Sequence, residues 1–204
     1  KAVLPARPGK ATLDFTKFDR IQIVACGTAY YAGFVAKYWF EQLAGLVTDV
    51  DVASEFRYRE PVLGPRTLAI MVTQSGETAD TKAAMEYCKA KGVTTAAVVN
   101  VPTSSIAREC DAILPTLAGV EIGVASTKAF TAQLCALLAT AIAAGRQRDF
   151  LSRENEKAYI GAMIELPRLI GDALRTETQI MELAPEIAKA RDILYLGRGQ
   201  HYPI

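Results

Sequence analysis

Apolar runs rich in β-branched residues alternate with longer segments of helical period through the first two thirds of the chain, and this alternation most constrains the fold. Buried on both faces, a parallel strand reads as a continuous apolar run, and the crossover between two such strands needs a helix. Five stretches read as strands: IQIVACG, TDVDVASEF, TLAIMVTQSG, TTAAVVNV and DAILPT. Between them lie AYYAGFVAKYWFEQLAGL, ETADTKAAMEYCKAKG and the short SSIAREC, and STKAFTAQLCALLATAIAAG follows the fifth. Apolar residues at helical spacing with a stop at Gly45 mark the first of these as a helix, and a polar start with a stop at Gly92 marks the second. The expected fold is a three-layer αβα sandwich around a five-stranded parallel sheet, of flavodoxin-like kind.

After Gly145 the pattern turns helical, through ENEKAYIGAMIELPRLIGDALR and TQIMELAPEIAKA, until the apolar DILYLGRG. That last run resembles IQIVACGTA in kind, so it reads as the opening of a second, related domain, with an edge strand of the first domain as the alternative. The expected organisation is a linker over residues 1–18, a domain over 19–145, a helical connection over 146–190, and the start of a second domain over 191–204.

Composition narrows the functions open to such a fold. Lysine plus arginine number 23 against 22 acidic residues, so no large positive field exists to draw nucleic acid or an anionic membrane. The four cysteines, Cys26, Cys88, Cys110 and Cys135, show no C-x-x-C spacing, which suggests neither a zinc site nor a disulfide framework. A reducing cytoplasm is expected. The start has no apolar signal core, and the longest apolar stretch reads as shorter than the roughly 20 residues of a membrane span.

The loop TQSGET joins the apolar TLAIMV to a helix start. At the carboxyl end of a central strand, the orphan N–H groups and positive dipole end of the next helix favour an anion, and Gly76 lets the backbone approach it. The hydroxyls of Thr73, Ser75 and Thr78 and the amide of Gln74 add neutral donors. The competing role for Ser75, Thr78 and Asp80 is helix capping, which needs only one of them. Cys26, Gly27 and Thr28 occupy a second strand-to-helix turn, and Gly123, Val124, Ala125 and Ser126 a third, so the three loops converge on one edge of the sheet. Cys26 lacks a nearby base, because the chain's single histidine is His201, and it reads as a small buried residue. Lys128 reads as a surface residue in a first helical turn, and Glu77 and Asp80 as helix-start carboxylates.

Together CGTAYYAG, ASEFRYR, TQSGETADT, NVPTSSIARECD and EIGVASTKAFTAQL resemble the first sugar isomerase (SIS) domain of the glutamine:fructose-6-phosphate amidotransferase family. The resemblance implies a chain that holds the phosphate through Thr73, Gln74, Ser75 and Thr78, and the sugar through Cys26, Gly27, Thr28, Ala29, Val124, Ala125 and Ser126. It implies fructose 6-phosphate or glucosamine 6-phosphate as ligand, no cofactor and no metal, a homodimer, and a glutaminase domain and second SIS domain elsewhere in the full-length protein. The family's catalytic glutamate, histidine and lysines correspond to positions after Ile204, so no catalytic residue is assigned within the chain. Where the family often has serine this chain has Ala29 and Thr73; Thr73 keeps a hydroxyl, whereas position 29 offers only its backbone. Two other function classes are weighed: a non-catalytic SIS sensor of sugar phosphates, and a dinucleotide-binding oxidoreductase, which the lack of G-x-G-x-x-G disfavours.

Overall fold

The computed structural model describes residues 12–123 and 126–204. Five parallel strands form one sheet in the order β2-β1-β3-β4-β5, with β1 at Arg20–Ala25, β2 at Val47–Val52, β3 at Thr67–Thr73, β4 at Thr94–Val99 and β5 at Ala112–Pro115. Every residue of β3 is buried, as a central strand covered on both faces requires. Helix α1 (Thr28–Ala44) and helix α5 (Lys128–Gln147) pack on one face. There Phe40, Leu43, Leu137 and Ala141 meet Ile21, Ile23, Leu68 and Ile70 from the strands. Helices α2 (Ala53–Arg59), α3 (Ala79–Ala90) and α4 (Ser105–Glu109) cover the other, where Phe56, Met85 and Ile106 meet Val24, Met71 and Val99. The expected αβα sandwich is therefore present, with crossovers that place α1 and α3 on opposite faces.

Four sequence expectations change. The strand expected over TDVDVASEF stops at Val52, because Ala53 and Phe56, three residues apart, bury the same side of a short helix. Residues 13–18 are not linker: Leu13, Phe15 and Phe18 are buried in the core. A 3-10 turn at Phe15–Lys17 is held from the far end of α5, where Gln147 accepts from the Phe15 N–H at 2.9 Å. Arg148 donates to the carbonyls of Phe15 (3.1 Å), Phe18 (2.7 Å) and Ala44 (3.0 Å), which joins the chain start to the ends of α1 and α5. Helix α5 is 20 residues, long and apolar enough by length and composition to cross a membrane; half of that span is buried here against α1 and the sheet.

The fourth change concerns DILYLGRG, which forms no strand and pairs with neither sheet edge. Leu194, Tyr195 and Leu196 are exposed. Helix α6 (Arg153–Leu174) joins α5 through the Arg146–Glu156 ion pair at 2.8 Å, and helix α7 (Glu177–Ile187) follows. Neither buries a residue completely. Beyond them the chain returns to α1, where the indole N–H of Trp39 donates to Gln200 at 3.1 Å and Tyr202 meets Phe34 edge to face.

Candidate functional site

The order 2-1-3-4-5 reverses direction between β1 and β3, and a crevice opens where the chain leaves those two strands for opposite faces. Ala25 and Val72 are partners in the β1–β3 ladder, so the loops after them start side by side. A cleft of about 420 Å³ lies there, lined by Cys26, Gly27, Thr28 and Ala29 from the first loop and by Thr73, Gln74, Ser75 and Thr78 from the second. Ser126 joins from the segment before α5. Nine of the eleven residues singled out in the sequence thus share one cavity wall; Val124 and Ala125 lie outside the described residues.

Each loop is shaped by a glycine. Gly27 adopts φ 57°, ψ −137°, a conformation that side chains with a Cβ avoid, and a Cβ there would meet nothing within 4 Å, since its side faces open space. Gly76, at φ +70°, lies against Ser104 so closely that a Cβ would stand 1.9 Å from its hydroxyl oxygen. Around Gly76 the loop is self-bonded: its N–H donates to the Thr73 hydroxyl oxygen at 3.1 Å, the Glu77 N–H donates to Ser75 at 3.2 Å, and the Ile106 N–H donates to the Gly76 carbonyl at 3.1 Å. Thr73 and Ser75 accept in these bonds, which leaves both hydroxyl protons to donate elsewhere.

Capping accounts for little at this edge. Thr78 occupies the N-cap position of α3 without a side-chain capping bond, and neither Gly27 at α1 nor Thr127 at α5 supplies one. Away from the cleft, Ser104 caps α4 and Ser152 caps α6 through their hydroxyls. Glu77, expected to serve its own helix, instead accepts from the Ser105 N–H at 2.8 Å, and this bond lowers its pKa below the ordinary carboxylate value. Asp80 pairs with Arg57 at 2.9 Å and ties α3 to α2. Neither carboxylate lines the cleft.

Among the described residues lining the cleft none is lysine or arginine, and Glu121 is the one charged side chain. Its carboxylate accepts from the Ala129 N–H at 3.0 Å and so answers the positive end of α5. The Tyr30 N–H of α1 donates to the Gly27 carbonyl at 3.0 Å, while the dipoles of α1 and α3 and the other first-turn N–H groups face a ligand anion. Lys128 is exposed and lines a different groove, between α5 and α6. Cys26, read as buried, is half-buried with its sulfur 4.0 Å from the Thr81 hydroxyl. No disulfide joins any of the four cysteines among the described residues; desolvation raises Cys88 to about 12 and raises Cys135 as well.

Sequence reasoning missed Thr81, Glu121 and Gln133, all on the cleft wall. Gln133 carried one signal: it is a polar residue on the apolar face of α5, seven positions from Thr140. Thr140 satisfies itself by donating to the Ala136 carbonyl at 2.7 Å. Gln133, only 2 % exposed, keeps an Oε1 with no hydrogen-bond partner among the described residues, and so does the buried hydroxyl of Ser126.

Comparison with known proteins bears on these loops. The SIS domain family matches residues 14–143. The chain is 63 % identical over 197 residues, 97 % of its length, to a glutamine–fructose-6-phosphate aminotransferase [isomerizing] of Bradyrhizobium diazoefficiens, of which it covers 32 %. It is 55 % identical over 187 residues to the protein of the same name from Caulobacter vibrioides, covering 92 % of this chain and 31 % of that one. The chain thus spans about a third of the length of the curated relatives it matches. Among solved structures, the C-terminal domain of glucosamine-fructose-6-phosphate aminotransferase from Francisella tularensis superposes with a TM-score of 0.91 at 39 % identity, over 97 % of this chain and 57 % of that one. Glucosamine-6-phosphate deaminase from Thermotoga maritima superposes at 0.61 with 25 % identity, over 72 % of this chain and 46 % of that one. A match that runs from the first buried turn through β5 and into α5, over the fold and crevice described above, makes this chain a member of the SIS domain family.

Proposed function

We propose that this chain is the sugar-phosphate-holding unit of an isomerising glutamine–fructose-6-phosphate aminotransferase, and that its cleft takes fructose 6-phosphate or glucosamine 6-phosphate. The phosphate lies at the β3–α3 loop, held by Ser75, Thr78, Gln74 and Thr73 and by the first N–H groups of α3; the sugar extends toward residues 26–29 and Ser126. The observation that carries this reading is Thr78: an N-cap threonine facing a cleft without a capping bond has its hydroxyl free for a ligand. Glu121 supports the direction, because its carboxylate repels an anion from the α5 end of the cleft and leaves the α3 end as the favourable one.

The chemistry of isomerisation and amination is assigned to other parts of a longer protein, which carries a glutaminase domain and a second SIS domain. Exposed Ile160, Ile164, Ile180, Met181 and Leu183 on α6 and α7 support a covered face in the assembled enzyme, a homodimer in the cytoplasm.

Thr78→Ala and Ser75→Ala test the site. Each removes a donor to a charged group, a bond of about 1.5–3 kcal/mol, so affinity for fructose 6-phosphate in calorimetry should fall roughly ten- to a hundredfold. Thr78→Ala should leave the melting temperature nearly unchanged, since no cap bond is lost. Unaltered affinity in both variants, or turnover by the chain alone, refutes the assignment.

A further inference from the structure

We infer that Gln133 accepts a hydrogen bond from a hydroxyl group of the bound sugar, and so fixes the end of the cleft that receives the polyol and not the phosphate. The inference rests on the sugar-phosphate reading and adds to it a residue on α5, outside the loops that the reading uses. Gln133 sits on the helix side facing the sheet, where α5 is apolar apart from Thr140, and it is 2 % exposed while still lining the cleft. A buried amide oxygen without a partner is destabilising, and native interiors pair nearly all such groups. Thr140, on the same side of the helix, shows the usual remedy of a bond within its own helix. The Gln133 Oε1 has no such bond among the described residues, and neither does the buried Ser126 hydroxyl on the same wall.

The chemistry of the missing partner follows from the atom. An amide oxygen only accepts, so it needs a donor; a phosphate dianion has no proton to give, whereas each sugar hydroxyl has one. The adjoining Glu121 carboxylate, bonded to the Ala129 N–H, disfavours an anion on this wall further. A neutral, hydroxyl-bearing group matches both neighbours. The ligand is thereby oriented: phosphate toward α3, hydroxyls toward α5.

Gln133→Met keeps the size of the side chain and removes its polar atoms. Calorimetric titration of parent and variant with fructose 6-phosphate and with inorganic phosphate should show the sugar phosphate bound about fivefold to tenfold more weakly by the variant and inorganic phosphate bound alike. The melting temperature should equal or exceed the parent's, because an unpaired acceptor has been removed from the interior. A purely structural glutamine would lower the melting temperature and weaken both ligands together. On the parent protein, a set of monodeoxy hexose 6-phosphates supplies a second test that needs no variant. One analogue should lose the same factor and should bind parent and Gln133→Met equally. Equal fructose 6-phosphate affinity in parent and variant, a matching loss for inorganic phosphate, or the absence of any such analogue overturns the inference while the phosphate site stands. A parent that binds neither ligand overturns the site itself, and this inference with it.

Discussion

Gly76→Ala places the β3–α3 loop under the severest local test. Any residue with a Cβ resists φ +70°, at a cost of about 1–2 kcal/mol. The added methyl would lie 1.9 Å from Ser104 Oγ and 2.5 Å from Ser104 Cβ. Rotating the serine relieves only the first contact, and it breaks the bond from the Ala107 N–H that caps α4, worth about 0.5–2 kcal/mol. The Cβ contact remains and forces a backbone shift, an overpacking cost of about 1–3 kcal/mol. The three terms together give about 3–7 kcal/mol, a large share of the 5–15 kcal/mol typical of a folded domain. At about 2–4 °C per kcal/mol for a chain of this size, thermal unfolding should move down by roughly 6–28 °C. Combining Gly76→Ala with Ser104→Gly should recover much of the loss, since the steric term disappears and only the strained φ and the cap remain. Urea unfolding of parent, single and double variants measures all three quantities. A single variant within about 1 kcal/mol of the parent, or a double variant no better than the single, would refute the packing argument.

Two further expectations concern titratable groups. The bond from the Ser105 N–H holds the Glu77 carboxyl below its ordinary value of 4.5, so its ionised form stabilises the fold at neutral pH and that stabilisation fades as pH falls from the glutamate range through the lowered folded-state pKa. Glu77→Gln should therefore unfold at lower urea than the parent near neutrality, with the gap closing in acid; a gap unchanged between about pH 7 and about pH 3 would contradict this. Iodoacetamide at mildly alkaline pH should label half-buried Cys26 ahead of buried Cys88 and Cys110, and fructose 6-phosphate should slow that labelling. Peptide mapping that found Cys88 modified first would count against the packing of α3.

The parts of this fold visible in the sequence are those that depend on near neighbours. The strands IQIVA and TLAIMVT declare themselves because both faces are covered and the runs are apolar except for Gln22, Thr67 and Thr73. The turns after them show because a glycine and hydroxyls follow an apolar run directly. ASEF misled because VTDVDV before it is a true strand, and the switch to helix is marked only by the three-residue spacing of Ala53 and Phe56. DILYLGRG has strand composition, but a strand exists only with a partner, and the sheet ends at β2 and β5 without it. At the site, Glu121 lay hidden in a stretch without regular structure, and its role appears only once its carboxylate is seen on the Ala129 N–H. Gln133 could be read as an interruption of an apolar helix face, but nothing in the sequence says that this face borders the cleft.

The bonds from Arg148 to the carbonyls of Phe15 and Phe18 join positions 133 and 130 residues apart, and this sets a timetable for the nascent chain. At the usual 5–20 residues per second, the ribosome adds Arg148 on the order of ten seconds after Phe15 has been made. Until then two aromatic side chains destined for the interior have neither α5 to cover them nor a guanidinium to fix their backbone. The sheet can assemble strand by strand in the meantime, but this early-made buried turn is among the last pieces to lock, and it waits on the translation of the helix that closes over it.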